Sequence, residues 1–138
     1  MPYRDVHRQL LDCAAPLFPE LEAALRRLGP LQLPRRNDLP FPDYLCRAIS
    51  GQQISVKAAQ SIWGRVEASA GRQPLLDHFC PENTETLRAC GLSGAKTRTI
   101  ITIAETHRSV GLDTEALKNM SIAGRTERLT EIWGVGQW

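Results

Sequence analysis

An all-α fold follows from three features of the 138 residues. Apolar side chains recur at helical spacing from end to end, and glycine and proline fall between those periodic stretches. No stretch alternates apolar and polar residues over the length of a strand. The one short candidate, Thr99 to Ile103, fits better inside an amphipathic helix.

The first helix carries Val6, Leu10 and Ala14, and the second carries Leu21, Ala24, Leu25 and Leu28, with Pro16 and Pro19 dividing them. Leu28-Gly-Pro30 then opens a connection through Pro34, Pro40 and Pro42, where fixed φ and missing donors exclude regular structure. Asp43 is placed to cap a third helix with Tyr44, Leu45, Ala48 and Ile49, and Gly51 marks its break from a fourth. That fourth helix holds Ile54, Ala58, Ala59, Ile62, Trp63 and Val66. A loop from Gly71 to Pro81 leads to Thr84 as a cap, then Leu87, Ala89 and Cys90, with Gly91 as a stop. Ser93 caps a long helix with Ile100, Ile103, Ala104 and His107, ending near Gly111. Asp113 opens a short helix with Ala116, Leu117 and Met120, and a last helix runs from about Gly124 to Glu131. The reading is one helical domain over 1–138, in which 1–40 holds the first two helices and the proline-rich connection and 41–138 the main core.

Composition narrows function by exclusion. Apolar residues at 42% and charged residues at 23% match ordinary globular usage, so the chain folds rather than remaining disordered. The formal charge of +2 does not by itself mark a nucleic-acid binder. The N-terminal residues lack the apolar core of an export signal, and no apolar run has membrane-spanning length. Cys13, Cys46, Cys80 and Cys90 form no Cys-x-x-Cys pair, and His7, His78 and His107 show no ligand spacing, so all seven read as free thiols and as core or surface histidines.

The sharpest motif lies at 129–138, where a helix end is followed by Ile132, Gly134-Val135-Gly136 and a second helical start at Gln137. Glycines let another chain approach closely, and amides at a tight turn before a helix N-terminus can hold a phosphate without reading bases. Taken alone, Gly-x-Gly reads better as an ordinary turn between packed helices. Three further segments accompany it: Arg47-Ala-Ile-Ser-Gly-Gln-Gln-Ile-Ser55 with Ala58 and Ala59, Gly91-Leu-Ser-Gly-Ala-Lys96 with Ile100 and Ala104, and Leu129 with Ile132. On these segments, the chain from about Phe41 onward resembles the helix-hairpin-helix DNA glycosylases, and within them the 3-methyladenine DNA glycosylase II branch. Residues 1–40 match nothing distinctive.

The resemblance implies base-excision repair of double-stranded DNA by hydrolysis of the N-glycosidic bond of an alkylated purine. It places Gln52 and Gln53 at the minor groove, with Gln53 as the wedge that fills the gap left by a nucleotide turned out of the stack. The bland alternative is a solvated helix junction. Gly134, Val135 and Gly136 become the phosphate-holding hairpin, with the carbonyls of Thr130, Ile132 and Val135 facing a monovalent cation, sodium or potassium, and no other cofactor required. Lys96, with Arg98, Arg125 and Arg128, is expected to meet phosphates; its alternative is a solvated basic face. Trp133 departs from the family, which usually has proline there. Trp138 stands where strand-cleaving branches carry a Schiff-base lysine, so the resemblance implies a monofunctional enzyme whose indole lines the base pocket.

The family's chemical step uses an aspartate several helical turns past the hairpin. The sequence closes at Trp138, and Asp43, Asp77 and Asp113 read as caps or loop residues. The expectation is therefore a fold incomplete at its C-terminus, no base release by this chain, and an uncovered apolar surface through which it self-associates. The rival reading is a non-catalytic module that holds the DNA backbone or serves assembly. Either implies a cytoplasmic protein, at the nucleoid in a bacterium or in the nucleus of a eukaryote.

Overall fold

The computed structural model describes residues 3–31 and 39–136, and among them there is no strand. The helices are α1 (Tyr3–Ala14), α2 (Pro19–Leu28), α3 (Phe41–Gly51), α4 (Val56–Ala70), α5 (Leu75–His78), α6 (Thr84–Ala89), α7 (Gly94–Val110), α8 (Thr114–Lys118) and α9 (Ile122–Thr130), with one 3-10 turn at Pro81–Asn83 before α6. The chain divides into two compact units, Met1–Arg36 and Asn37–Trp138.

In the first unit α1 and α2 pack on each other, and α2 follows the rules of helix ends closely. Pro19 opens it, Glu20 and Glu22 sit in its first turn, and Arg26 and Arg27 in its last, each charge on the favourable end of the helix dipole. Arg26 closes on Glu22 at 2.7 Å. Leu10, Leu17, Phe18, Leu21, Leu28 and Leu31 are nonetheless exposed.

The second unit is built on α3, which packs against both α7 and α4. Cys46 and Ile49 of α3, Trp63 and Val66 of α4, and Ile100, Ile103 and Ala104 of α7 interlock, joined by Leu87 of α6 and by Phe79 and Leu112 from the connections. Burying each of the larger side chains is worth about 1.5–3 kcal/mol. Trp63 keeps its indole N–H satisfied by donating to Glu67 Oε1 at 2.9 Å. Four helices start on a side-chain cap: Ser55 Oγ accepts the Ala58 amide, Ser93 Oγ the Lys96 amide, Asp113 Oδ1 the Ala116 amide and Ser121 Oγ the Gly124 amide.

Several boundaries differ from the sequence expectation, each for a local reason. Ser55 starts α4 after Ile54, which therefore lies outside the helix, and Ser121 starts α9 two residues before Gly124. Pro74 permits one extra turn, α5, inside the stretch expected to be loop. Thr84 is the first residue of α6 and its hydroxyl donates back to the Pro81 carbonyl, because the preceding 3-10 turn already supplies the cap. Asp43 does not cap α3 either. Pro40 holds that position, so Asp43 sits inside the first turn and is buried.

His78 and His107 are both packed into the structure. Ser69 Oγ donates to the Val66 carbonyl and so accepts from His78 Nε2 at 2.9 Å, while the Asn83 amide group lies 3.1 Å from His78 Nδ1 as donor. His107 Nδ1 accepts the Leu112 amide at 3.0 Å and closes the C-terminus of α7.

Burial raises the Asp43 carboxyl above its ordinary 3.8, and the hydrogen bond to its own amide only partly offsets this. A carboxyl with a raised folded-state affinity binds more proton folded than unfolded, so its contribution to stability falls as pH rises past that value. Asp43→Asn should therefore lose this pH dependence. Urea unfolding from about pH 3.5 to 6.5 is expected to show the variant gaining on the parent as pH rises; parallel curves would mean that Asp43 ionises as freely folded as unfolded.

Candidate nucleic-acid interface

Two turns carry the expected site residues, and α7 touches both. The first joins α3 to α4. Gly51 ends α3 with a Cβ position only 3.3 Å from Ala59 Cβ, so the two helices approach closely there. Gln52 is extended at φ −62 and ψ 140. Gln53 is exposed and left-handed at φ 58, the sole described residue other than glycine with positive φ. That conformation costs a side-chain-bearing residue about 1–2 kcal/mol, and such strain clusters where a surface does a job. The break between helices thus falls one or two residues after Gly51.

The second turn is the hairpin after α9. The Val135 amide donates to the Ile132 carbonyl at 3.0 Å, enclosing Trp133 and Gly134 in a four-residue turn. Gly134 has φ +85, as the third residue of a type II turn requires. A side chain there is excluded twice over. Its Cβ would fall inside contact distance of Thr99 Oγ1, and 3.1 Å from both Thr99 Cβ and Cγ2. Ile132 is buried and ties the turn to the core, whereas Gly134 and Gly136 are exposed. Neither glycine amide donates a hydrogen bond among the described residues, which leaves both open to an acceptor from outside.

Trp133 occupies the turn position where proline is usually favoured, and a different device holds it. The Arg98 guanidinium of α7 lies 4.0 Å over the indole ring, a cation–π stack on a half-exposed aromatic. Among the described residues Arg98, Arg125 and Arg128 form no ion pair; Arg98 is exposed, whereas the Arg125 Nε is buried without a hydrogen-bond partner. The Lys96 ammonium is engaged instead with backbone, donating to the carbonyls of Ser50 at 2.9 Å and Gln52 at 2.7 Å.

Lys96 and Thr99 are three residues apart on one helix, so the two turns are fastened to α7 within a single helical turn, a rise of about 5.4 Å. Of the expected residues, Lys96, Gln52 and Gln53 meet at one turn, while Ile132, Gly134, Val135 and Gly136 form the other. Gln137 and Trp138 lie outside the described residues. The Thr130 hydroxyl turns back onto the Thr126 and Glu127 carbonyls, leaving only its own carbonyl for a cation, and the Ile132 carbonyl keeps one lone pair after accepting Val135. No cluster of histidine, cysteine, aspartate or glutamate that could hold a metal occurs among the described residues.

The packing of Thr99 on Gly134 and the Arg98–Trp133 stack are features of the site that sequence reasoning missed. A small residue on the buried side of α7 was the available signal for the first. Nothing in the linear sequence pairs Arg98 with Trp133.

The chain is similar to two proteins named for action on 3-methyladenine in DNA. The chain is 35% identical over 97 residues to a DNA-3-methyladenine glycosylase 1 of Schizosaccharomyces pombe, an alignment covering 68% of this chain and 42% of the relative. It superposes with TM-score 0.71 and 31% identity on the crystal structure of a DNA-3-methyladenine glycosidase from Bacillus halodurans, over 100% of this chain and 60% of that one. The chain thus spans less than two thirds of either protein. No family model matches it.

Gly134→Ala tests the hairpin. Combining forbidden φ with the Thr99 clash, it is expected to destabilise the chain by about 1–3 kcal/mol and to weaken duplex binding. Adding Thr99→Ala should recover part of the stability by removing the clash but not the strain. Thermal melts of both variants check this, and a neutral Gly134→Ala would show that the turn is not held against α7.

Proposed function

The chain belongs to the helix-hairpin-helix DNA glycosylase superfamily, and from that premise we propose that the protein acts in DNA repair as a monofunctional glycosylase, hydrolysing the glycosidic bond of alkylated purines in double-stranded DNA. The observation that carries the proposal is the pair of turns fastened to one face of α7, one with two glycine amides that donate no hydrogen bond among the described residues and the other with an exposed, strained Gln53. In this reading the hairpin amides grip a phosphate, with Arg98, Arg125 and Arg128 adding charge, and Gln53 enters the minor groove to occupy the gap left by the everted nucleotide. The names of both relatives support an alkylated purine as substrate. The Trp138 indole would line the pocket, where an electron-poor purine gains more from its face than an ordinary base does.

The backbone carbonyls of Thr130, Ile132 and Val135 would hold a monovalent cation, sodium or potassium. Bound there, it would add positive charge beside the gripped phosphate. No helix among the described residues is long and apolar enough to cross a membrane, in keeping with a protein that works on DNA at the nucleoid or in the nucleus. Self-association belongs to the same proposal, supported by the exposed leucines and Phe18 of the α1–α2 pair.

Binding should be salt-sensitive and indifferent to sequence. Titrations of a labelled duplex at several salt concentrations are expected to give a linear loss of log affinity, and Arg98→Ala to reduce the slope by about 0.9. Undetectable binding at low salt would remove the DNA reading.

Chemistry separates the enzyme reading from a module that only holds DNA. Asp43 is buried and Asp113 caps α8, so both are committed elsewhere. The 138 residues assayed by themselves are therefore expected to bind alkylated DNA without releasing base and to give no borohydride-trapped adduct. Losing a single preorganised stabilising group can lower a rate by on the order of a hundred- to a thousand-fold. Base release would show that one of the carboxylates in these residues does the chemistry, and a trapped adduct would overturn the monofunctional assignment.

A further inference from the structure

Lys96 stands at the wrong end of its own helix. It is the third residue of α7, where the amide ends of the helix make a positive pole and a cation is disfavoured. Its backbone amide is already satisfied by Ser93 Oγ at 3.2 Å, so its side chain is free of the capping arrangement. That side chain crosses to α3, where the helix has its negative pole and its unpaired carbonyls. There the ammonium donates to two acceptors at once, the Ser50 carbonyl at 2.9 Å and the Gln52 carbonyl at 2.7 Å. These two carbonyls bracket Gly51 and immediately precede Gln53.

From this geometry we infer that Lys96 is a positioning residue for the Gln52–Gln53 turn, holding Gln53 in the left-handed conformation that projects its amide from the surface, rather than a phosphate contact. The inference rests on the reading of Gln53 as the wedge. Three constraints act on the turn together. Ser55 fixes its far end by capping α4, Gly51 is pressed on Ala59, and the two hydrogen bonds from Lys96 draw the carbonyls on either side of Gly51 toward one point. Without the ammonium, nothing described in the structure binds those carbonyls across the gap between α3 and α7. A left-handed residue that costs about 1–2 kcal/mol then relaxes toward the ordinary regions of backbone space. Charge-assisted hydrogen bonds of this kind are strong enough to hold it.

The role of Lys96 differs from that of a basic surface residue in what it changes. A phosphate contact adds equally to every duplex and steepens the salt dependence. A positioning residue acts on the preference for a duplex with a gap, where alone a wedge has something to fill. It should therefore act only through Gln53.

The test compares Lys96→Met, Lys96→Arg, Gln53→Ala and the Lys96→Met/Gln53→Ala double variant in the full 138-residue chain. Each is titrated against an intact duplex and the same duplex carrying a tetrahydrofuran abasic analogue, and the ratio of the two affinities is read. Amide hydrogen exchange at 51–55 is measured without DNA. Lys96→Met is expected to lower the abasic preference to the level of Gln53→Ala, the double variant to lower it no further, and exchange at 51–55 to rise. Lys96→Arg, which keeps the donors, should retain most of the preference. An unchanged preference in Lys96→Met, or a loss that adds in full to that of Gln53→Ala, overturns the inference, as does unchanged exchange. Equal losses by Gln53→Ala on both duplexes would instead overturn the wedge reading, and the exchange data would still report whether Lys96 holds the turn. If Lys96→Met fails to fold, Lys96→Gln, with its shorter neutral donor, takes its place and must meet the same comparison.

Discussion

The close packing of α7 on α3 is the constraint on which the rest of the second unit depends. Ile100, Ile103 and Ala104 bury one side of α7 against Cys46 and Ile49, and that contact sets the position of the first turn of α7 relative to the last turn of α3. With the axis fixed, Lys96 reaches the carbonyls at the end of α3, and Thr99 meets the hairpin with no room for a Cβ on Gly134. Neither exposed turn is stable through its own residues. One contains a left-handed glutamine and the other a positive-φ glycine, so each needs a rigid neighbour, and both find it in the same helix.

On the proposed reading, this arrangement would let a surface grip duplex DNA by its shape. The hairpin offers amides that fit any phosphate, and the glutamine turn offers a side chain of fixed direction. On that reading, what must be correct is the spacing between them, since one would contact the backbone while the other would enter the groove. Mounting both within one turn of a buried helix sets that spacing by main-chain geometry, which varies far less than loop geometry.

The helical class, the glycine stops and the caps at Ser93 and Asp113 were legible in the sequence because each depends on neighbours within one turn of chain. The site was legible as a set of motifs but not as a mechanism. Lys96 reads as one more basic residue until α3 is placed beside it, 44 to 46 residues away in sequence. The Asp43 cap was misread because a proline two residues into the helix and another just before it let the helix start earlier than a capping acid would allow. The helix starts at Ser55 and Ser121 were readable from serine alone, but the apolar Ile54 drew one boundary outward and Gly124 drew the other inward.

Trp133 shows how the same constraint can be met by different chemistry. A proline at the second position of a type II turn restricts the backbone directly, by fixing φ. A tryptophan leaves φ free but offers a large flat face, and Arg98, one position before Thr99 on α7, lies across it at 4.0 Å. The restriction moves from the turn residue to its neighbour on the rigid helix. An arginine so stacked gives up little of its hydrogen-bonding capacity, because the contact uses the face of the guanidinium and leaves its edge donors pointing outward. The stack thus holds the turn and at the same time keeps a cation beside the hairpin, so that on the proposed reading rigidity and phosphate affinity at this turn would come from one contact.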